Sequence, residues 1–415
     1  MKKATKWISR IVIALLAVLA IGVATCVALV YLKPKISEEK KPEPEPEAVV
    51  EPKPISATAN YLFAGTTFWG RRTNTMARAS DLGVKYPFSQ LDTLNRDEYD
   101  AWIAGLECPL VEKGGVHNSY EEESIFKFNC DSDYLEVAKD YFTAFLLGNN
   151  HAGNQGKEGL DETKQHLAEN GIQYFGTPKR TGPNVSDPEF PNDAEDANNC
   201  GVVVLPLNIT LDNDEKVTYQ MPFGFCSAHG VYGIPGDDYL NNMKTFAGVL
   251  PTIAMPHMGA EYKSSHDTIR QNLYRKMIDY GVEMVIGDHP HWTQDTEAYK
   301  GKLIVYSMGN FMFDQTSNKE VSRSATITVE LEIANINDVD LEAWDILGQK
   351  CLEDKATCFD EIQKADLTRP EYKYKFGYIG TTSAENRITR RASDAEQVEI
   401  GQRLQWDATM RALGQ

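Results

Sequence analysis

Four of the eight histidines in this chain stand at the ends of short apolar runs. His151 comes after the run 141–147, His257 after 249–255, and His289 and His291 after 282–286. Neutral imidazole is a common ligand of zinc, manganese and iron. Scattered core histidines would not all concentrate at such positions, so the pattern predicts a shared metal centre.

Two further residues complete the predicted ligand set. Glu107 ends the run 100–107 and offers a carboxylate, and Asn150 offers an amide oxygen beside His151. Mixed nitrogen and oxygen ligands suit manganese, zinc or iron. Taken singly, each of these residues is better explained as a solvated loop residue, so the hypothesis depends on their joint occurrence.

The apolar runs predict the strands that must position these side chains. Buried strands of an α/β sheet are apolar throughout, and ligands bind beyond the carboxyl ends of such strands. We predict a mixed α/β fold, in which strands alternate with helices before antiparallel strands follow. The predicted strands lie near 61–65, 100–107, 141–147, 201–207, 220–227, 249–255, 282–286, 303–307 and 325–333, and the predicted helices over 158–169 and 264–280. In residues 335–415 we predict no strand and only a helix over 396–413.

The N-terminus predicts a membrane anchor. Basic residues precede an apolar run over 11–32, which is long enough to span a hydrocarbon core of roughly 30 Å. The positive flank predicts a single-pass protein of the cell membrane with its bulk outside the cytoplasm. A cleaved signal peptide is the alternative, although its apolar region is usually shorter. Residues 33–58, rich in Pro, Glu and Lys, predict an extended linker.

Composition narrows the partners and the compartment. The 415 residues carry a formal net charge of −18, which argues against a nucleic-acid partner because phosphate backbones require basic patches. Six of the seven cysteines follow the predicted span, so disulfides are permitted, with Cys351 and Cys358 as the easiest local pair. Buried, reduced cysteines are an equally good alternative at this point.

Several longer motifs in a fixed order carry a resemblance to a known family. They are Gly-Asn-Asn-His-Ala at 148–152, Gly-Lys-Glu-Gly-Leu at 156–160 with Thr163, His-Met-Gly-Ala-Glu-Tyr at 257–262, Gly-Asp-His-Pro-His at 287–291, and Tyr-Ser-Met-Gly-Asn-Phe at 306–311. The chain resembles the bacterial capsule synthesis proteins associated with poly-γ-glutamate, whose fold is similar to that of the calcineurin-type metallophosphoesterases.

The resemblance implies a four-layer α/β/β/α sandwich over about 61–332. With it, the predicted domains are an anchor at 1–32, a linker at 33–58, the metallophosphatase-like domain at 59–334 and an extension at 335–415. The resemblance also assigns roles: Glu107 as the shared acidic ligand, Asn150, His257 and His289 as ligands of one metal, His291 as a ligand of the neighbouring metal, and His151 as the histidine that assists the leaving group.

Two positions depart from the family pattern. Thr66 stands where members usually carry an aspartate after the first strand, and Asn154 stands where an acid is common. A hydroxyl is a far weaker ligand than a carboxylate, and two-metal phosphoryl chemistry uses both ions. We therefore predict reduced or absent hydrolysis, or a single-metal mechanism. Asp288 or His229 are candidates to compensate, although a loop position better explains His229.

The favoured function is a part in capsule or poly-γ-glutamate synthesis, export or anchoring, with hydrolysis of a phosphoester by a metal-activated water as the accompanying chemistry. The expected partners are the membrane, an anionic envelope polymer or phosphoester substrate, and subunits of a capsule synthase complex. The alternative is a degenerate, non-catalytic component that binds the polymer or a synthase partner, and a third hypothesis is an amidase acting on the γ-glutamyl polymer. A cationic cleft formed by Arg71 and Arg72 would favour binding of a polyanion, although a solvated basic turn explains them equally well.

Overall fold

A computed structural model describes residues 52–112, 128–178, 198–231, 233–383 and 386–415. The predicted anchor over 11–32 and nearly all of the predicted linker lie outside these ranges. Within the described ranges, no helix combines the length and the apolar character that crossing a membrane requires.

Fourteen strands form one mixed sheet in the described residues. They are β1 (Pro54–Thr67), β2 (Ala101–Leu106), β3 (Ala144–Leu146), β4 (Gln173–Phe175), β5 (Cys200–Leu211), β6 (Lys216–Gly230), β7 (Thr252–Met258), β8 (Met284–Ile286), β9 (Thr296–Tyr299), β10 (Lys302–Val305), β11 (Asn310–Met312), β12 (Arg323–Ile333), β13 (Tyr372–Thr382) and β14 (Arg390–Arg391).

Nine α-helices accompany the sheet in the same ranges. They are α1 (Arg71–Ala79), α2 (Leu135–Ala138), α3 (Gly156–Glu169), α4 (Asp237–Val249), α5 (Thr268–Asp279), α6 (Leu341–Glu353), α7 (Cys358–Ala365), α8 (Asp394–Leu404) and α9 (Trp406–Leu413). The predicted mixed α/β class is therefore confirmed.

The sheet branches at β1. The first residues of β1 pair antiparallel with β5, and its later residues pair parallel with β2. We call β2, β3 and β4 the first wing, and β5, β6, β7, β8, β10 and β9, in that spatial order, the second wing. Within the wings, β2–β3–β4 and β6–β7–β8–β10 run parallel, so their carboxyl ends meet at common edges.

Alternation of side chains along β1 and β2 separates two cores. Tyr61 and Phe63 pack into one hydrophobic cluster together with residues of the second wing. Leu62 and Ala64 point the other way, into a cluster shared with helices α1, α2 and α3. Because successive side chains of a strand face opposite sides, one buried strand serves both cores. β2 is therefore apolar throughout, and β1 is apolar over residues 61–65, where it is buried.

Several strands and helices of the structure were not predicted, and the differences from the predicted elements include the start of β1, strand β13 and the last predicted helix. Strand β1 begins at Pro54, inside the predicted linker, and pairs there with the end of β5. Strand β13 lies where no strand was predicted, although Tyr372, Tyr374 and Phe376 alternate with Lys373 and Lys375, and it pairs along its length with β12. The helix predicted over 396–413 is divided at Gln405, whose φ of 54° is left-handed.

All six cysteines of the described residues are paired. The disulfides are Cys108–Cys130, Cys200–Cys226 and Cys351–Cys358. The local pair Cys351–Cys358 is thereby confirmed, and the alternative of reduced cysteines is wrong for this structure. Cys200 and Cys226 face each other directly across β5 and β6.

Candidate metal centre

The six predicted site residues lie at the carboxyl ends of four strands: Glu107 after β2, Asn150 and His151 after β3, His257 near the end of β7, and His289 and His291 after β8. The pairing of β7 with β8 continues through a bridge between His257 and Asp288, which brings the next residue, His289, beside His257. Ligand candidates therefore come from both wings.

Three of these side chains converge on one atom of a fourth, Nε2 of His257. Asn150 Oδ1 lies 2.9 Å from it, His289 Nδ1 lies 3.2 Å away, and Glu107 Oε1 lies 3.7 Å away. A neutral imidazole nitrogen either donates or accepts one hydrogen bond, so it cannot satisfy all three of these atoms. Such crowding of oxygen and nitrogen lone pairs fits a site for a cation.

Glu107 supplies a second observation of this kind. Its carboxylate is 1% exposed, and neither oxygen has a hydrogen-bond partner among the described residues. A buried charge without a partner is costly, so a positive group is expected there. Ligand atoms of Glu107, His289 and His291 lie within 4.8 Å of one another, close enough to share an ion.

The loop after β8 is strained where it carries these ligands. His289 has a φ of 101° and His291 a φ of 59°, values that residues other than glycine adopt rarely. Strained backbone of this kind is found mainly at functional sites, where the surrounding structure holds it in place. Here the strain turns two imidazoles of one short loop toward the same centre.

Asn149 holds the loop after β3. Its side-chain amide donates to the carbonyl of Leu106, one residue before Glu107, at 2.8 Å. Its Oδ1 accepts from the backbone N–H groups of His151 and Ala152. One buried amide therefore ties the two ligand-bearing ends of β2 and β3 together.

His151 lies at the edge of the cluster. Its ring stacks on Phe128 with centroids 3.7 Å apart, and its Nε2 is 3.9 Å from Glu107 Oε1. Its Nδ1 is 2.8 Å from Asn154 Oδ1, which also accepts from the backbone N–H of Phe128. Because that oxygen only accepts, Nδ1 carries the proton, and the lone pair on Nε2 faces Glu107.

Burial sets the protonation of the site. Desolvation lowers the pKa of His151 to about 4 and lowers the pKa values of His257 and His289 well below the usual range. These imidazoles are therefore neutral at pH 7, the form that binds metals. Desolvation also raises the pKa of Asp288 to about 7.

Two residues outside the predicted ligand set occupy positions that the sequence did not indicate. His229 was expected in a loop, but it lies inside β6, buried, directly beside His257 in the register of β6 and β7. Arg71 was a candidate for a cationic cleft, but it is buried and pairs with Asp314, and its guanidinium lies over the rings of Phe68 and Phe128. The expected cleft is wrong for Arg71, because its charge is neutralised.

Comparison with known proteins gives a consistent picture. Residues 60–188 and 239–315 match the sequence profile described as "Bacterial capsule synthesis protein PGA_cap". The chain is 29% identical over 222 residues to the PGA biosynthesis protein CapA of Bacillus subtilis (strain 168), covering 52% of this chain and 53% of that protein. It is 26% identical over 236 residues to the capsule biosynthesis protein CapA of Bacillus anthracis, covering 56% and 55%. The chain thus spans about half the length of the curated relatives it matches.

Among solved structures, the crystal structure of TT1561 of Thermus thermophilus aligns with 69% of this chain and 96% of its own, with 11% identity and a TM-score of 0.34. A TM-score this low does not indicate a shared fold or function. All five predicted metal ligands and His151 lie within the segments that match the family profile.

Proposed function

Because this chain belongs to the bacterial capsule synthesis protein family, we propose that it serves the synthesis, export or anchoring of a capsule polymer such as poly-γ-glutamate, through a divalent-metal centre. The observation that carries the metal centre is the buried Glu107 carboxylate without hydrogen-bond partners in the described residues, facing neutral imidazoles. Manganese, zinc or iron suits this donor set.

The chain's residues divide the work at this centre. Asn150, His257 and His289 would hold one ion together with Glu107, and His291 would reach a neighbouring position. A bound divalent ion supplies Lewis-acid polarisation of a phosphoryl oxygen and activates water. His151 Nε2, with its lone pair facing the cluster, is placed to accept a proton, whereas donation to a leaving group would require prior protonation of the ring.

A non-catalytic function is the second candidate, and specific residues favour it. Thr66 provides a hydroxyl where family members carry a carboxylate, and Asn154 provides a neutral amide beside His151. An amide cannot stabilise an imidazolium as an acid would. Absent or very slow hydrolysis, with the cleft used to bind a polymer or a synthase partner, is the result that this candidate function predicts.

The finer architecture and the location belong to the same proposal. The two cores on opposite faces of β1 and β2 support a layered sandwich of the calcineurin-like type. The disulfides support an oxidising space outside the cytoplasm. A single N-terminal anchor, predicted over 11–32, would hold the domain at the outer face of the membrane.

Metal content tests the centre directly. We expect His257→Ala and His289→Ala, made in the full-length chain, to lose the metal that elemental analysis finds in the unsubstituted protein. His166→Ala is the matched control, because His166 lies on α3 among Glu162 and Glu169, outside the cluster. Unchanged metal content in both site variants would refute the centre.

The role in the cell needs a separate test. We expect cells that lack this chain to carry less cell-associated capsule polymer, and the chain with His257→Ala not to restore it. Full restoration by that variant would separate the capsule role from the metal centre. Hydrolysis of a simple phosphodiester by the purified chain, compared before and after chelation, then distinguishes a catalytic from a binding role.

A further inference from the structure

We propose that Asp288 supplies the carboxylate of the second metal position in this chain, in place of the residue after the first strand, and that Thr66 orients it. This inference rests on the proposed metal centre. The carboxylate that is missing at Thr66 would then be provided by a residue at another position of the chain. Glu107 and His291 would be the other ligands at this position.

The contact between Thr66 and Asp288 is the first argument. The hydroxyl of Thr66 donates to Asp288 Oδ2 at 2.6 Å, and both residues are buried. The Thr66 hydroxyl therefore holds a carboxylate that comes from the loop after β8. This hydrogen bond fixes Asp288 Oδ2, and it leaves Asp288 Oδ1 for a different partner.

The second oxygen of Asp288 is the next argument. Asp288 is 3% exposed, and its Oδ1 has no hydrogen-bond partner in the parts of the chain that the structure describes. Glu107, whose two oxygens are in the same condition, stands two residues after Gly105, where an added Cβ would lie 3.8 Å from Asp288 Oδ2. No lysine or arginine pairs with either acid among the described residues, so an ion is the positive group that we expect to neutralise them.

Asn310 orients His291, the third candidate ligand, as Thr66 orients Asp288. Thr66 lies beside Asn310 in the register of β1 and β11. Asn310 donates from Nδ2 to the carbonyl of Val321 at 3.0 Å, so its Oδ1 accepts from His291 Nδ1 at 2.8 Å. The proton on Nδ1 leaves the lone pair of His291 on Nε2, the ligand form. Thr66, near the end of β1, and Asn310, at the start of β11, thus each orient one candidate ligand.

The test is metal stoichiometry, which does not depend on activity. The full-length chain and its variants are dialysed against Mn²⁺ alone, and bound metal per chain is measured by elemental analysis and titration calorimetry. We expect two ions in the unsubstituted chain and one in Asp288→Asn, which is isosteric and leaves the first position intact. Asp295→Asn, at a buried aspartate paired with His266, is the matched control and should retain both ions.

Moving the carboxylate back gives the sharper result. In the double variant Thr66→Asp, Asp288→Asn, the acid returns to the position after the first strand, and we expect the second ion to return with it. Two ions retained by Asp288→Asn alone, one ion in the unsubstituted chain, or failure of the double variant to recover the second ion would each overturn the inference. An unsubstituted chain that binds no ion would instead refute the metal centre itself.

Discussion

At the scale of single residues, the pair His151 and Asn154 decides how much acid chemistry the site can do. Asn154 Oδ1 accepts from both His151 Nδ1 and the backbone N–H of Phe128. The amide fixes the orientation of the ring but offers no negative charge. Burial outweighs the charge of Glu107 and the hydrogen bond to Asn154, which both act to raise the pKa, and the pKa of His151 falls to about 4. A leaving group at this site finds a neutral imidazole.

Asn154→Asp should raise the pKa of His151, because a carboxylate beside Nδ1–H stabilises the imidazolium by about 1–3 pKa units. The new oxygen can still accept from Phe128, so the fold is preserved. NMR titration of the His151 ring measures the shift, and phosphodiester hydrolysis should increase at least about tenfold if proton donation limits it. Asn154→Ala, which removes the acceptor without adding charge, is the control, and an unchanged His151 pKa in Asn154→Asp would contradict the argument.

At the scale of elements, the contact between α6 and β6 shows how the C-terminal segment is attached. Gly348 of α6 lies so close to the strand that a Cβ on it would stand 1.7 Å from the carbonyl oxygen of Gln220. The backbone N–H of Gln220 also donates to Asp345 of the same helix at 2.6 Å. Only glycine allows this approach, and the helix contributes its own Trp344 and Leu347 to the core.

Gly348→Ala should therefore lower the free energy of unfolding, by about 1–3 kcal/mol, because the helix must move away from the strand. Gly248→Ala is the matched control: Gly248 also lies in a helix, α4, and a Cβ there would meet nothing within 4 Å. That variant should be stabilised by up to about 1 kcal/mol. Urea denaturation of both measures the difference, and equal effects would contradict the close packing.

At the scale of the whole molecule, the candidate centre joins the two wings of the sheet. Glu107, Asn150 and His151 come from the first wing, and His257 and His289 from the second. The groups buried between the wings titrate abnormally in the metal-free chain, three imidazoles with lowered pKa values and Asp288 with a raised one. Stability of the metal-free chain must therefore depend on pH.

The sign follows from proton uptake. Below about pH 6.5 the unfolded chain protonates His151, His257 and His289, whereas the folded chain keeps them neutral, so acid favours unfolding. Asp288 opposes this, because its raised pKa makes the folded chain bind one proton more. In this range the unfolded chain therefore binds about two protons more than the folded chain. The free energy of unfolding should fall by on the order of 1–3 kcal/mol for each unit by which the pH is lowered from about 6.5 to 4.

Chelated protein, unfolded by urea across this pH range, measures the slope. Other carboxylates contribute to it as well, so the informative quantity is the difference between the unsubstituted chain and the variant His257→Asn, His289→Asn. That variant should have the shallower slope, whereas His166→Asn should keep the original one. Equal slopes in all three proteins would contradict neutral burial of the two site histidines.

Local periodicity was sufficient to predict about half of the elements. The apolar runs before Glu107, His151 and His257 predicted strands that the structure contains as β2, β3 and β7. The helix after residue 264 begins at Thr268, and Asp267 caps it by accepting from the backbone N–H of Arg270, because a short polar side chain satisfies an otherwise free donor there. The alternating aromatic and basic residues of β13 carried the same kind of signal, which the prediction missed.

The sequence by itself determined which side chains stand at strand ends, since that depends on the spacing of apolar and polar residues along a few positions. Only the tertiary structure determines three contacts of the site region. Thr66 forms a hydrogen bond with Asp288, 222 residues away in the sequence. Arg71 is neutralised by Asp314, and His229 lies beside His257. These contacts depend on how β1 branches into two wings and which strands become neighbours. Local periodicity cannot predict which strands become neighbours, because the pairing of strands depends on packing between residues far apart in the chain.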